Sequence, residues 1–224
     1  MRIYLVRHGE TEWNRVKRFQ GRINLPLNQE GRKQAKALAL ALRDIYFKAI
    51  YTSPLIRALE TSHFIKVFHS STPIFEEKGL IEMDLGEFNG MRVQDWTQQY
   101  PDIRKRKTWN ENAATFKMPG GESPIEVQAR AKETLERITS IYPDDTTILL
   151  SSHYFVNLSI LCDILKIPLN RFRELGQENA AFNIICKKDD RYYVEVINER
   201  SHLLQREPTR GQILRDTLVS LIHS

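Results

Sequence analysis

The sequence predicts a three-layer α/β/α sandwich on a mostly parallel sheet with one antiparallel edge. Short apolar runs rich in β-branched residues alternate with longer stretches of helical spacing, the pattern of layered α/β domains. The last two runs, 181–186 and 192–197, are separated only by Lys187-Lys188-Asp189-Asp190-Arg191 and read as a hairpin, which supplies the antiparallel edge. At 224 residues, 41% apolar and 27% charged, the chain is long enough to bury a sizeable core without staples.

Taken in order, Arg2 to Val6 is a buried strand that ends at the turn His8-Gly9, and Thr11-Glu12 opens a short helical turn. Asn28 caps a helix whose apolar positions Ala35, Leu38, Ala39 and Leu42 share one face. Ala49 to Thr52 is a second strand. It ends at Ser53-Pro54, with Pro54 in the first turn of a helix that continues to Phe68. Pro73 to Glu76 is a third strand. Residues 91 to 118 form a polar, basic helical excursion over the surface. Ser123 and Pro124 then cap and start a helix running to about Ile141. Thr146 to Ser152 is a strand, Tyr154 to Leu165 a helix, and the hairpin follows.

Several function classes drop out on composition. Cys162 and Cys186 are far apart in apolar stretches, without the paired spacing of a zinc or redox site, so two buried hydrophobes in a reducing compartment are expected. The N-terminus carries no long apolar secretory region, and no run approaches bilayer length. A cytoplasmic protein with no membrane partner is the expectation. The net charge of +5 is scattered, and its densest run, Arg104 to Lys107, reads as a solvated helix face. No nucleic-acid partner is expected, although the positive field can steer anions.

Three strand ends carry the chemistry. Arg7 and His8 stand at the carboxyl end of the first strand, where open α/β sheets bind ligands. Arginine offers a rigid fork of donors for phosphate oxygens, and a neighbouring imidazole is a nucleophile if its other nitrogen is held. Arg57 falls in the first turn of the helix after the second strand, beside a terminus that favours anions. His153 again joins a strand to a helix. Singly, Arg57 reads as an exposed partner of Glu60 and His153 as a satisfied histidine; their convergence on three strand ends favours a common site.

The stretch Arg7-His8-Gly9-Glu10-Thr11-Glu12-Trp13-Asn14 resembles the opening motif of the histidine phosphatase (phosphoglycerate mutase-like) family. Further similarities follow in family order, from Arg18-Phe19-Gln20-Gly21 and Leu25 to Asn28 to Ser53-Pro54-Leu55 with Arg57, and then Glu82, Gly86 and Gly90. Pro119 to Ser123, Ser152-His153, Asn179 and His202-Leu203 complete the resemblance, which covers residues 1–203. It implies that His8 takes the phosphoryl group, that Arg7, Arg57 and His153 surround its oxygens, and that Glu82 is the acid/base; independently of the resemblance, the arginines with a protonated His153 supply the positive charge that phosphoryl transfer needs. Asn14, Gln20 and Gly21 match positions lining the substrate pocket. Glu76, Glu77, Asp84 and Glu87 lie close to Glu82 in sequence, and only the motif spacing singles it out. Tyr154, Phe155 and Val156 replace the small residues usual after the second histidine, which narrows the pocket.

The expected activity is hydrolysis of a small phosphorylated metabolite, with no metal or other cofactor, since arginines and imidazoles supply the charge that phosphoryl transfer needs. Phosphoserine is the first choice of substrate. The alternatives are a phosphoglycerate mutase and a catalytically silent phospho-ligand or protein-binding partner. The shortness of the segment between Glu82 and Gly120 favours water as acceptor over a mutase, and retention of Arg7, His8, Arg57, Glu82 and His153 disfavours the silent partner. Beyond residue 203, Ile213, Leu214, Leu218, Leu221 and Ile222 recur at near-helical spacing. This tail, 204–224, is expected to dock on its own domain or to form a homodimer contact.

Overall fold

The computed structural model describes residues 1–99 and 113–204. Six strands form one sheet: β1 (Arg2–Arg7), β2 (Ala49–Thr52), β3 (Ile74–Glu76), β4 (Thr147–Ser152), β5 (Phe182–Lys188) and β6 (Arg191–Glu199), in the order β3-β2-β4-β1-β5-β6. Strands β1 to β4 run parallel, whereas β5 is antiparallel to β1 and β6 to β5. The predicted antiparallel edge is thus the hairpin. Its strands extend further than the apolar runs do, to Lys188 and Arg191, leaving a two-residue turn. Asp189 and Asp190 both have positive φ there (49° and 58°), the backbone twist that two-residue hairpins require.

Both faces of the sheet are covered, which explains why β1 is a continuous apolar run rather than an alternating one. Ile3 and Leu5 face one core with Ile148 and Leu150, packed under α5 (Pro124–Thr139) and α6 (Tyr154–Leu165). Tyr4 and Val6 face the other core with Ile50 and Leu149, beneath α2 (Gln29–Ala41) and α3 (Ile56–Lys66). Helix α1 (Glu12–Arg15) is a single turn with Thr11 and Asn14 in a capping box. The same motif, from Ser123 and Glu126 with Pro124 inside the first turn, starts α5.

One boundary needs correction. Pro54 is not inside α3, because Leu55 is the extended N-cap residue and its side chain makes no cap bond. The orphan donors are met from elsewhere: Ser53 Oγ accepts from the Leu55 amide at 3.3 Å, and Asn24 Oδ1 from the Ile56 amide at 2.7 Å. Of the excursion, α4 (Val93–Gln99) is described. The basic run Arg104 to Lys107 and the apolar tail positions Ile213 to Ile222 lie outside the described residues, while α7 (Ser201–Leu204) closes the described chain.

Candidate active site

Strand pairing brings the predicted groups together. Arg7 is in register with Ser152, and Thr52 with Ser151, so the carboxyl ends of β1, β2 and β4 are level. His8, Ser53 and His153 follow directly. A cavity of about 350 Å³ opens at these ends, and Arg7, His8, Asn14, Gln20, Gly21, Arg57 and Glu82 all line it. His153 does not line it and sits behind, fully buried.

The His8 ring is fixed from both sides. Its Nδ1 lies 2.6 Å from the Gly9 carbonyl oxygen, to which it donates, so that Nε2 carries the lone pair. Arg57 Nε donates to this Nε2 and to His153 Nδ1, each at 3.2 Å. His153 Nε2 then carries the proton and meets Ser53 Oγ at 2.7 Å. Arg57 itself is 1% exposed and is held by the carbonyls of Gly21 and Ile23, both at 2.8 Å. Glu60 does not pair with Arg57; it binds the Leu27 amide at 2.7 Å and Arg32 at 3.3 Å.

Burial and neighbouring cations set the charges. Desolvation, then Arg57 and Arg7, push His8 well below the usual histidine range. Desolvation, then Arg57, His8 and Arg7, do the same to His153. The expectation of a protonated His153 is therefore corrected: the ring is neutral, and the guanidiniums carry the positive charge. Arg57 is pushed down to about 10, chiefly by burial, with Glu82 opposing. Burial also lowers Arg7, whose Nη1 bonds the Gln177 carbonyl while its Nε is buried without a partner.

Glu82 follows a 3₁₀ turn (Lys78–Leu80) beyond β3. Its Oε1 accepts from the Met83 amide at 2.8 Å and its Oε2 from the Phe155 amide at 3.3 Å. Its carbonyl oxygen takes Arg22 and Arg130, both at 3.2 Å, and Glu122 joins these two arginines at 2.8 and 3.0 Å. Glu76, Glu77, Asp84 and Glu87 do not line the cavity.

The pocket residues serve the loop around His8. Asn14 Oδ1 accepts from the Thr11 amide at 3.1 Å and from Asn179 Nδ2 at 3.3 Å, and Asn179 also donates to the His8 carbonyl at 3.1 Å. Gln20 Oε1 accepts from the Thr11 hydroxyl at 2.8 Å. Gly21 has φ +47°, and a Cβ there would lie 2.2 Å from Asn89 Oδ1, so glycine is required. Gly9 is needed for close approach: its Cβ would lie 2.4 Å from the Gly31 carbonyl oxygen. A Cβ on Gly31 would lie 2.0 Å from that of Glu10, so α2 abuts the loop backbone to backbone.

Tyr154 and Phe155 line the cavity, whereas Val156 is in the core. Sequence reasoning missed Arg18, Phe88, Phe172 and Arg173 as lining residues. Phe172 and Arg173 lie on a 3₁₀ stretch (Leu169–Glu174) with no motif to mark it.

Fold and site together define an α/β/α protein with a buried imidazole–guanidinium cluster at the carboxyl ends of parallel strands. The histidine phosphatase superfamily (branch 1) pattern matches residues 3–200, and the chain belongs to that family. It is 33% identical over 203 residues to "Phosphoserine phosphatase 1" of Hydrogenobacter thermophilus, covering 91% of this chain and 94% of the relative. It is 27% identical over 208 residues to "Probable phosphoglycerate mutase GpmB" of Escherichia coli, covering 91% and 95%. Among solved structures, "Bacillus stearothermophilus YhfR" superposes with a TM-score of 0.82 at 29% identity, over 90% of this chain and 98% of the other.

Proposed function

We propose that this chain hydrolyses small phosphomonoesters through a phosphohistidine on His8, with phosphoserine the first candidate substrate. The observation that carries the reading is the His8 ring: Nδ1–H is spent on Gly9, so Nε2 carries the lone pair at the cavity, where it accepts a 3.2 Å hydrogen bond from Arg57 Nε that must give way to phosphorus on attack. A neutral imidazole is the nucleophilic form, and the suppressed protonation of His8 keeps it so at neutral pH.

In the first step Nε2 attacks phosphorus, the P–O ester bond breaks, and Glu82 protonates the departing alkoxide. Arg7 and Arg57 balance the phosphoryl charge, and the Gly9 carbonyl takes up the charge that develops on the phosphorylated ring. In the second step Glu82, now a carboxylate, accepts a proton from water. The resulting hydroxide attacks phosphorus and forms a P–O bond, the P–N bond breaks with its electron pair returning to Nε2, and inorganic phosphate leaves. Asn14, Gln20 and Gly21 line the substrate pocket. His153 acts through Arg57, as a positioning group that orients its Nε–H.

The segment from Glu82 to Gly120 is short enough to admit water, which supports hydrolysis over return of the phosphoryl group to an organic acceptor. Cytoplasmic location is part of this reading, supported by two free, buried cysteines. Among the described residues no helix is long and apolar enough to cross a membrane. The tail beyond residue 203 is read as a separate element contributing to a homodimer. The test is His8→Ala: phosphate release is abolished with the far-UV spectrum unchanged, and acid-labile label from a ³²P-ester accumulates on the wild type alone. Substantial turnover by folded His8→Ala would end the covalent mechanism.

A further inference from the structure

We infer that the cavity takes a second class of substrate beside phosphoserine: phosphomonoesters whose alcohol carries a ring-sized apolar body and no cationic group. The inference rests on the phosphatase reading and specifies the leaving group of the same site. Two aromatic clusters line the cavity. Phe19 and Phe88 each meet Trp96 edge-on, with centroids 6.2 and 6.4 Å apart. Phe155 meets Phe172 edge-on at 5.0 Å, and Tyr154 stands next to them with the Arg7 guanidinium 5.1 Å from its ring centre. A volume of about 150 Å³ suffices for benzene, so the 350 Å³ here leaves room for a ring beyond the phosphoryl group.

Charge narrows the choice. The described lining carries the guanidiniums of Arg7, Arg18, Arg57 and Arg173 and a single carboxyl group, that of Glu82. Both Glu82 oxygens already accept main-chain hydrogen bonds, and the proposed chemistry uses the same carboxyl for proton transfer. An ammonium with no carboxylate beside it, unlike that of serine, therefore meets like charge and competes for the acid. An apolar body carries neither cost and loses water against the rings on entry.

The test holds leaving-group chemistry nearly constant with three primary alkyl esters: ethyl, 3-phenylpropyl and 3-aminopropyl phosphate. Phenylpropyl phosphate is expected to exceed ethyl phosphate in kcat/KM by about tenfold or more, with aminopropyl phosphate the poorest. The matching phosphonates, which cannot turn over, are expected to inhibit phosphate release in the same order. Trp96→Ala should reduce the phenylpropyl-to-ethyl ratio to about threefold or less; because both esters are read on one preparation, partial misfolding cancels. Equal kcat/KM for phenylpropyl and ethyl phosphate overturns the inference while leaving the phosphatase reading intact. If no ester releases phosphate, and the phosphonates still bind in the stated order by calorimetry, the catalytic reading fails and the pocket assignment stands.

Discussion

Two neutral imidazoles buried beside two guanidiniums make the folded state acid-sensitive in a window where few other groups titrate. His8 and His153 are held unprotonated well below their unfolded value of about 6.5. The unfolded chain thus binds more protons than the folded one as pH falls through 6.5, and stability falls with it. Each histidine contributes full stability above pH 6.5. Between pH 7.5 and 5.5, RT ln(1 + 10^(6.5−pH)) rises by about 1.4 kcal/mol, the most that either ring contributes across this window. His69 and His202, also lowered by burial, steepen the dependence in every variant and cancel on comparison. Glu126, pushed down to about 2 by Lys117 and Ser123, lies far below the window. Urea unfolding of wild type and His8→Asn in phosphate-free buffer at both pH values measures the effect. The variant is expected to lose pH dependence, by at most about 1.4 kcal/mol, since an asparagine amide can still donate to Gly9. Identical pH dependence in the two proteins would refute a neutral His8.

Glu82→Gln keeps the side chain's shape and one of its two main-chain contacts, from Met83 or Phe155, because its amide nitrogen cannot accept, and it removes the transferable proton. It should reduce kcat about 10²- to 10⁴-fold for serine phosphate and far less for an activated aryl phosphate; equal losses on both, read by phosphate release, would move the acid elsewhere. Activity should survive exhaustive chelation, because Arg7 and Arg57 supply the charge; loss with chelator and recovery with magnesium would point to other chemistry. Truncation after Leu204 should convert a dimer to a monomer by light scattering while keeping turnover, and a dimer unchanged by truncation would remove the tail from the interface.

What the sequence discloses follows from how locally each feature is determined. The six strands, the hairpin edge and the caps at Asn28 and Ser123 rest on spacing and on residues that satisfy nearby amides, so they are legible. The start of α3 was misplaced because its amides are met by Asn24 and Ser53, one of them 32 residues upstream of its partner. In the site, Arg7, His8, Arg57 and His153 were legible because strand ends converge in any parallel sheet. Glu82 needed the family motif, since the Arg22–Glu122–Arg130 clamp on its carbonyl joins segments that no local pattern links. The protonation of His153 was misjudged for a similar reason: its depression comes from burial together with Arg57, a neighbour only in space.

The backbone contact between Gly9 and Gly31 has a mechanical consequence. Helices usually meet their neighbours through side chains, whose rotamers absorb small misfits; at Gly31 the main chain of α2 instead lies directly against that of Gly9 and Glu10, with the Gln34 side chain on the Glu10 amide beside it. The Asn28 amide and side chain both bond Glu10, and Asn28 Oδ1 holds the Gly31 amide, so the first turn of α2 acts as a rigid stop for the histidine loop. Gly31 lines no part of the cavity, yet a single methyl group there would transmit a displacement straight to the main chain that aims His8. An alanine at this position would present as a kinetic lesion in a protein whose pocket residues were all intact.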